Sequence, residues 1–310
     1  MKKFSKLFLS LLLAGSVTLN SLSVFAEEEA SEDEATEQVE EENQVETQYT
    51  PVENPEEIIK ELHEANQEPT SKQMRGIYSF DFEKDGEKAN FTNAEYSLTY
   101  KLDPSFSAEI DFNYVSPGAE APERLFAYIH NGQFLQYTNE EWHKDDFSGM
   151  EEIVVSLLTS KDEDDFYANH FDLFETETSY ILKLKEDLDS KAFYEAVNKK
   201  FDFDNLKETL KSTLPQEASD YHKVIDGLFT PEKFEEIIAN GLRVDLLFEK
   251  ESKRLVNNFI SAAIPFVDLY EAIGKAEGAP EFLNILFEQN NGKFGEDFDF
   301  SFLDEVAPAE

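Results

Sequence analysis

Cysteine is absent from all 310 residues. No disulfide, thiol nucleophile, thiolate metal site or thioether-linked lipid can therefore be built. Basic side chains are scarce as well: 27 Lys and Arg stand against 67 Asp and Glu, for a formal charge of −40. A surface this negative argues against nucleic acid and against docking on anionic lipid, both of which need a basic face. It suits a soluble protein in a salty exterior. There is no glycine-rich phosphate loop and no Gly-x-Ser-x-Gly elbow. His63, His130, His143, His170 and His222 never fall three or four apart, so no His-Glu-x-x-His zinc helix exists. No cofactor and no catalytic residue is expected, and the chain reads as a non-enzyme.

The first residues are informative. Lys2, Lys3 and Lys6 precede an apolar run over 7–14, and Ser23-Val24-Phe25-Ala26 follows. A basic start, a short apolar stretch and a small-residue exit predict a secretory signal peptide over 1–26. The apolar run is shorter than the roughly 20 residues of a spanning helix. Leu13-Ala14-Gly15-Ser16 has the form of a lipoprotein box with serine in place of the lipid-bearing cysteine, so the mature form is expected to carry no membrane anchor. Three lysines and no acid leave with the signal, which takes the charge from −40 to −43. Residues 27–50 then hold eleven acids and no base. Such a segment cannot bury enough surface to offset the entropy of ordering it. We expect an acidic disordered leader over 27–53, acting as a solvated spacer or as an electrostatic element toward wall polymers, cations or basic partners. The protein is expected to be secreted, either released or held to the envelope non-covalently.

Residues 54–310 are expected to form a single α+β domain. Asn54-Pro55-Glu56-Glu57 predicts a helix start, with Asn as cap and Pro at the first helical position. Ile58, Ile59, Leu62 and Ala65 recur at helical spacing. Period-two alternation follows around Tyr78, Phe80 and Phe82, then Tyr96, Leu98, Tyr100 and Leu102. It continues through Phe106, Ala108, Ile110, Phe112 and Tyr114, as half-buried strands do. Met150, Ile153, Val154, Leu157 and Leu158 form an amphipathic stripe. Residues 187–240 read as helical, broken near Pro215 and at Thr230-Pro231. Strands are expected at Tyr180–Leu184, at Val244–Phe248 and over 255–262, a helix over 266–273, and closing strands over 282–287 and 298–302.

The most specific local signal is "FAYIHNGQFLQYTNEEWHKDDF". Asn131-Gly132 predicts a type I′ hairpin turn, because both residues tolerate positive φ. That register places Phe126, Tyr128, Leu135 and Tyr137 on one face and Ala127, Ile129 and Phe134 on the other. With both faces apolar, the hairpin is expected in the middle of the sheet, covered on both sides, or presenting an aromatic surface. Trp142 is expected to pack at the sheet's margin.

Together the stretches "NPEEIIKELHEAN", "YSLTYKLDPSFSAEIDF", the hairpin, "RVDLLFEKESKRLVNNF" and "FDFSFLDEVAPA" resemble a group of uncharacterised exported proteins and lipoproteins of Gram-positive bacteria. Their fold is similar to the LolA/LppX-type lipoprotein carriers. The resemblance spans most of 54–309. It implies a large curved antiparallel sheet with helices packed on its concave side, and a hollow that takes lipids or acyl chains.

The 28 Phe and 12 Tyr either fill the core or line such a hollow. Phe106, Ile110, Phe112, Phe126, Tyr128, Leu135 and Tyr137 are the candidate lining residues for a hydrophobic small molecule or lipid. The alternative is an extracellular protein-protein or cell-wall interaction module with a fully packed interior. The acid-dense runs Asp162–Asp165 and Glu296–Asp299 lack the spacing and central Gly of an EF-hand loop, and read as solvated charge.

Overall fold

The computed structural model describes residues 49–66, 70–103, 105–115, 122–149, 151, 154–155, 165–213, 216–274 and 279–308. The expected signal peptide, most of the acidic leader and Asp162–Asp164 lie outside the described residues.

Among the described residues, twelve strands make one open antiparallel sheet. They are β1 (Thr50–Pro51), β2 (Ser71–Lys84), β3 (Glu87–Lys101), β4 (Ser107–Val115), β5 (Glu123–His130), β6 (Gln133–Thr138) and β7 (Glu141–Asp146), then β8 (Phe171–Glu175), β9 (Ser179–Leu184), β10 (Arg243–Glu249), β11 (Leu255–Pro265) and β12 (Phe282–Gly292). The spatial order is β1-β8-β9-β10-β11-β12-β2-β3-β4-β5-β6-β7. The chain therefore runs outward from β2 to the β7 edge, crosses the sheet, and returns from β8 to β12. The β12–β2 pair, from Phe282↔Glu83 to Gly292↔Gln73, joins the two meanders.

The helices are α1 (Pro55–Ala65), α2 (Phe166–His170), α3 (Ser190–Phe201), α4 (Phe203–Thr213), α5 (His222–Leu228), α6 (Pro231–Ala239) and α7 (Val267–Glu271). They gather on one face of the sheet, the α+β arrangement expected. Ile59 and Leu62 of α1 and Tyr167 of α2 pack on Leu173, Leu182, Leu246 and Phe248. Val224 of α5 and Leu269 of α7 meet Phe82, Ile264 and Leu283. The crossing segment contributes Phe147 and Val154, which cover Met74, Tyr78, Ile110, Phe112 and Ile129. Burial of one apolar side of a two-sided sheet holds these layers together, at roughly 25 cal/mol per Å². Lys233 of α6 is buried among acceptors: Glu236 at 2.5 Å, Asp268 at 2.9 Å and the Pro265 carbonyl at 3.3 Å. It pins α6 to the start of α7.

Four local readings change. Asn54 precedes α1 but sits in the left-handed region (φ 58°) and makes no side-chain cap bond; Pro55 does stand at the first turn. The stretch 187–240 is helical with the expected break at Thr230-Pro231 and a 3-10 turn at Gln216–Tyr221, but a further break at Asp202 (φ 44°) makes four α-helices of it. The β5–β6 hairpin lies one strand from the β7 edge rather than in the middle of the sheet. Finally, 298–302 is no strand. It belongs to a C-terminal strap whose 3-10 turn, Ser301–Leu303, lies against the hairpin, because Phe300 and Leu303 find more apolar cover over Leu135 than a further edge strand would give.

Candidate functional site

The strand alternation sorts every sheet residue onto the helix-covered face or the opposite, open face. Pairing settles which is which: Ile110 faces Ala127 and Phe112 faces Leu125, whereas Asp111 faces Phe126 and Glu109 faces Tyr128. The seven candidate lining residues consequently divide. Phe106, Ile110 and Phe112 belong to the covered core, with Phe112 0% exposed. Phe126, Tyr128, Leu135 and Tyr137 belong to the open face, and no single hollow can be lined by both sets. A sheet's thickness separates them, which the period-two pattern already demands once β4 and β5 are set in register.

The hairpin forms with the expected turn: Asn131 (φ 48°) and Gly132 (φ 71°) occupy the left-handed region, and His130↔Gln133, Ile129↔Phe134 and Tyr128↔Leu135 pair. Its inner face is buried at Ala127 and Ile129, and its open face is covered in part. The strap clamps its open face. Leu135 (0% exposed) is sealed by Phe300, Leu303 and Ala307, with Tyr128 and Trp142 alongside. Asn131 donates from Nδ2 to the Ala307 carbonyl at 2.8 Å, and Lys144 donates to Val306. Trp142 leans on Tyr128 and Tyr137 at ring separations of 6.1 and 5.2 Å.

Beside the clamp is a constellation that sequence spacing did not point to. The Ser107 hydroxyl lies 2.8 Å from His130 Nδ1, and His130 Nε2 lies 3.0 Å from Asp304 Oδ1. These are the residue types of a hydrolase triad, with the two ring nitrogens used the other way round. Ser107 and His130 are both buried, at 4% and 5% exposure, beneath the strap. A nucleophile must reach its carbonyl, so the arrangement reads as a fastening of strap to hairpin. Only a triad sought across 197 residues, from Ser107 to Asp304, would have revealed it.

Three aromatic rings of the strap and hairpin remain uncovered. Phe126 is 40% exposed, Tyr137 56% and Phe302 50%. Phe126 and Phe302 each stand edge-on to Tyr128, with centroids 5.3 and 5.4 Å away. Next to this patch, on β12, β2, β3 and β4, the open face holds a depression of about 440 Å³ lined by Arg75, Glu95, Asp111, Asn113, Glu288 and Asn290. Gly76, Ile77, Tyr96 and Ser97 complete its lining, which mixes charged and amide groups with apolar surface. Arg124 closes the hairpin end: it donates from Nε and Nη2 to Asp111 at 2.8 Å each and lies over the Phe126 ring. That pairing holds the guanidinium in its charged form.

The covered face carries an inlay of polar groups at its centre. Tyr96 donates to Gln289 at 2.5 Å, and Gln289 to Asn291 at 2.7 Å. Lys72 is fully buried nearby, and desolvation holds its amine well below the usual lysine range. The Tyr96 ring reaches Gln289 across Gly76, where any Cβ would collide with the Glu288 carbonyl oxygen. Burial likewise pushes the Tyr96 and Tyr100 phenols up.

The histidines gather no metal set: among the described residues no group of three His, Asp or Glu is placed to hold an ion. Glu296–Asp299 is committed locally, with Asp297 on Lys101 at 2.7 Å and Asp299 accepting from the Ser301 amide at 2.9 Å. Among the described residues, no helix is long and apolar enough to cross a membrane.

No protein-family signature matches the chain, and no curated protein does. Among solved structures, LprF from Mycobacterium bovis is similar at 9% identity and a TM-score of 0.40, covering 84% of this chain and 100% of its own. A DUF1329 family protein from Desulfovibrio piger is similar at 9% identity and a TM-score of 0.25, covering 83% of this chain and 99% of its own. Likeness at this level assigns no residue and no ligand.

Proposed function

We propose that the protein is an exported, non-enzymatic binding protein that meets its partner on the open face of the sheet, beside the hairpin. One observation carries this reading. Among the described residues seven large apolar side chains stand exposed; of these Val267 alone lies on the helix side, and Phe126, Tyr137 and Phe302 cluster around one clamp. Exposed rings fixed by rigid neighbours are what recognition surfaces use, because they lose little entropy on binding. The covered face offers the opposite: Phe106, Ile110 and Phe112, which would line an interior site, are packed against other side chains. This is the interaction module with a filled interior, and the extracellular wall is its natural setting for an exported chain.

The test is co-sedimentation of the secreted protein with purified Gram-positive cell walls. The wild type is expected in the pellet, and the triple variant F126A/Y137A/F302A in the supernatant with unchanged circular dichroism. Equal sedimentation of the two would overturn the assignment.

A second reading, a hydrophobic ligand held between sheet and helices, is favoured by one feature. The Tyr100 hydroxyl and both amide atoms of Asn258 are buried on the covered face with no hydrogen-bond partner among the described residues. A ligand with polar groups at both places would satisfy them. Native mass spectrometry decides it: an adduct lost on denaturation supports a carrier, and a bare chain removes that support.

A further inference from the structure

The depression on the open face holds a set of unpaired charges of both signs, and, granted the proposal that recognition occurs on this face, that set narrows the ligand. Arg124 and Arg243, the other arginines of the described strands, are held by Asp111 and Asp245. Arg75 is exposed in the depression and has no ion pair or hydrogen-bond partner among the described residues. Two carboxylates of the same lining lack a cation as well. Glu95 has no partner among the described residues, and Glu288 accepts from the Asn257 amide at 3.1 Å. In a chain with 67 acids and 27 bases, an arginine left unpaired so near two free carboxylates is unexpected.

Register sets the two signs apart. Glu288 and Glu95 oppose Ile77 from either side, whereas Asn290 and Ser97 oppose Arg75. The carboxylates therefore flank an apolar side chain, 44% exposed, and the guanidinium stands between neutral neighbours two residues along β2. That step is about 6.8 Å at ~3.4 Å per residue. Asp111 also lines the depression but is already engaged by Arg124. A simple cation would satisfy Glu95 and Glu288, drawn in by the field of the whole chain, and would leave Arg75 unmatched. A simple anion would do the reverse and meet that field. A ligand carrying both an ammonium and a carboxylate uses all three groups. Two peptide residues span the step, at roughly 3.3–3.6 Å each. A depression of about 440 Å³ is at the small end of ligand sites, which run from about 300 to 1,000 Å³.

We propose that this depression binds a short zwitterionic peptide, with its ammonium between Glu95 and Glu288, its carboxylate on the Arg75 guanidinium and its side chains over Ile77. Charge-assisted hydrogen bonds are the strong ones, and a guanidinium matches a carboxylate with two parallel N–H donors. Asn113 and Asn290 of the same lining supply amides for the peptide group between the two ends.

The experiment is isothermal titration of the secreted protein with dialanine and dileucine, each also in its N-acetylated and its C-amidated form. At least one free dipeptide is expected to bind with a Kd of about 1 mM or tighter. Capping either end is expected to weaken it about tenfold. R75A should lose the preference for the free carboxylate over the amide, and E95Q/E288Q the preference for the free amine over the acetyl form, both at an unchanged thermal midpoint. The proposal is overturned if neither dipeptide binds, or if either variant keeps the preference it should lose. It is also overturned if either capped form binds as tightly as the free one, which for the amide would mark a simple cation site. Wall co-sedimentation that depends on the exposed rings, without dipeptide binding, would discard the peptide and keep the open face. Loss of both would discard the two together.

Discussion

The two faces of one sheet are made from the same strands and differ in almost everything else. On β4, Ala108, Ile110 and Phe112 point under the crossing segment and are sealed, while Glu109, Asp111 and Asn113 point to the open side. The covered face is apolar with a small polar inlay, and among the described residues seven helices and a crossing segment rest on it. The open face is mixed through its middle and aromatic at the hairpin, and among the described residues the strap covers part of it. Stability is therefore concentrated on the first face, and freedom to bind is left to the second. The strap is the exception, since it brings a small core of its own to the open side around Leu135 and Leu303.

Substitutions that break this division should show it in graded form. F112A removes a fully buried ring from the covered core, and chemical denaturation should record a loss of about 4 kcal/mol. G76A forces a Cβ into the Glu288 backbone and to 2.9 Å from the Tyr96 ring, and should cost about 3 kcal/mol. Neither should alter partner binding in the fraction that folds.

The polar inlay can be read by pH. Lys72 has its folded pKa depressed below the unfolded value, so the unfolded state binds more protons between the two. Stability should rise as pH climbs through that window toward about 10.5, and K72M should flatten the rise. Above about pH 10 the sign reverses. Tyr78, Tyr96 and Tyr100 have folded pKa values raised above the unfolded one, so the folded state holds protons that the unfolded state has lost, and stability falls. Thermal melts at successive pH values would check both limbs.

Smaller effects belong to the open face. W142A trims a half-exposed ring from the hairpin's margin and should cost about 1 to 2 kcal/mol in thermal or denaturant unfolding. F126A and Y137A remove exposed rings and should each change stability by less than about 0.5 kcal/mol while reducing wall sedimentation. A large stability loss from F126A, or none from F112A, would invert the assignment of the two faces.

Much of this architecture was legible from local pattern. The period-two runs at Tyr96–Leu102 and Phe106–Tyr114 are strands because alternation is written in neighbouring residues. Asn131-Gly132 specified its turn through positive φ. What local pattern could not supply was the pairing of distant segments. The seven candidate lining residues were all correctly apolar, yet placing Phe112 and Phe126 on opposite sides requires the β4–β5 register, which depends on a connection between them. The alternation at Phe298, Phe300 and Phe302 looked like a strand, and tertiary contact with Leu135 overrode it. The Ser107–His130–Asp304 fastening and the groove around Arg75 each draw residues from segments far apart in the chain, and a reading of one window at a time has no access to them.

The most direct test of the account is hydroxyl-radical footprinting of the protein with and without purified Gram-positive cell walls. Recognition on the open face predicts protection of Phe126, Tyr137 and Phe302 on binding, with Val267 on the helix side unchanged. Protection of Val267 with those three rings still oxidised at the free rate would contradict it and place the partner on the helices.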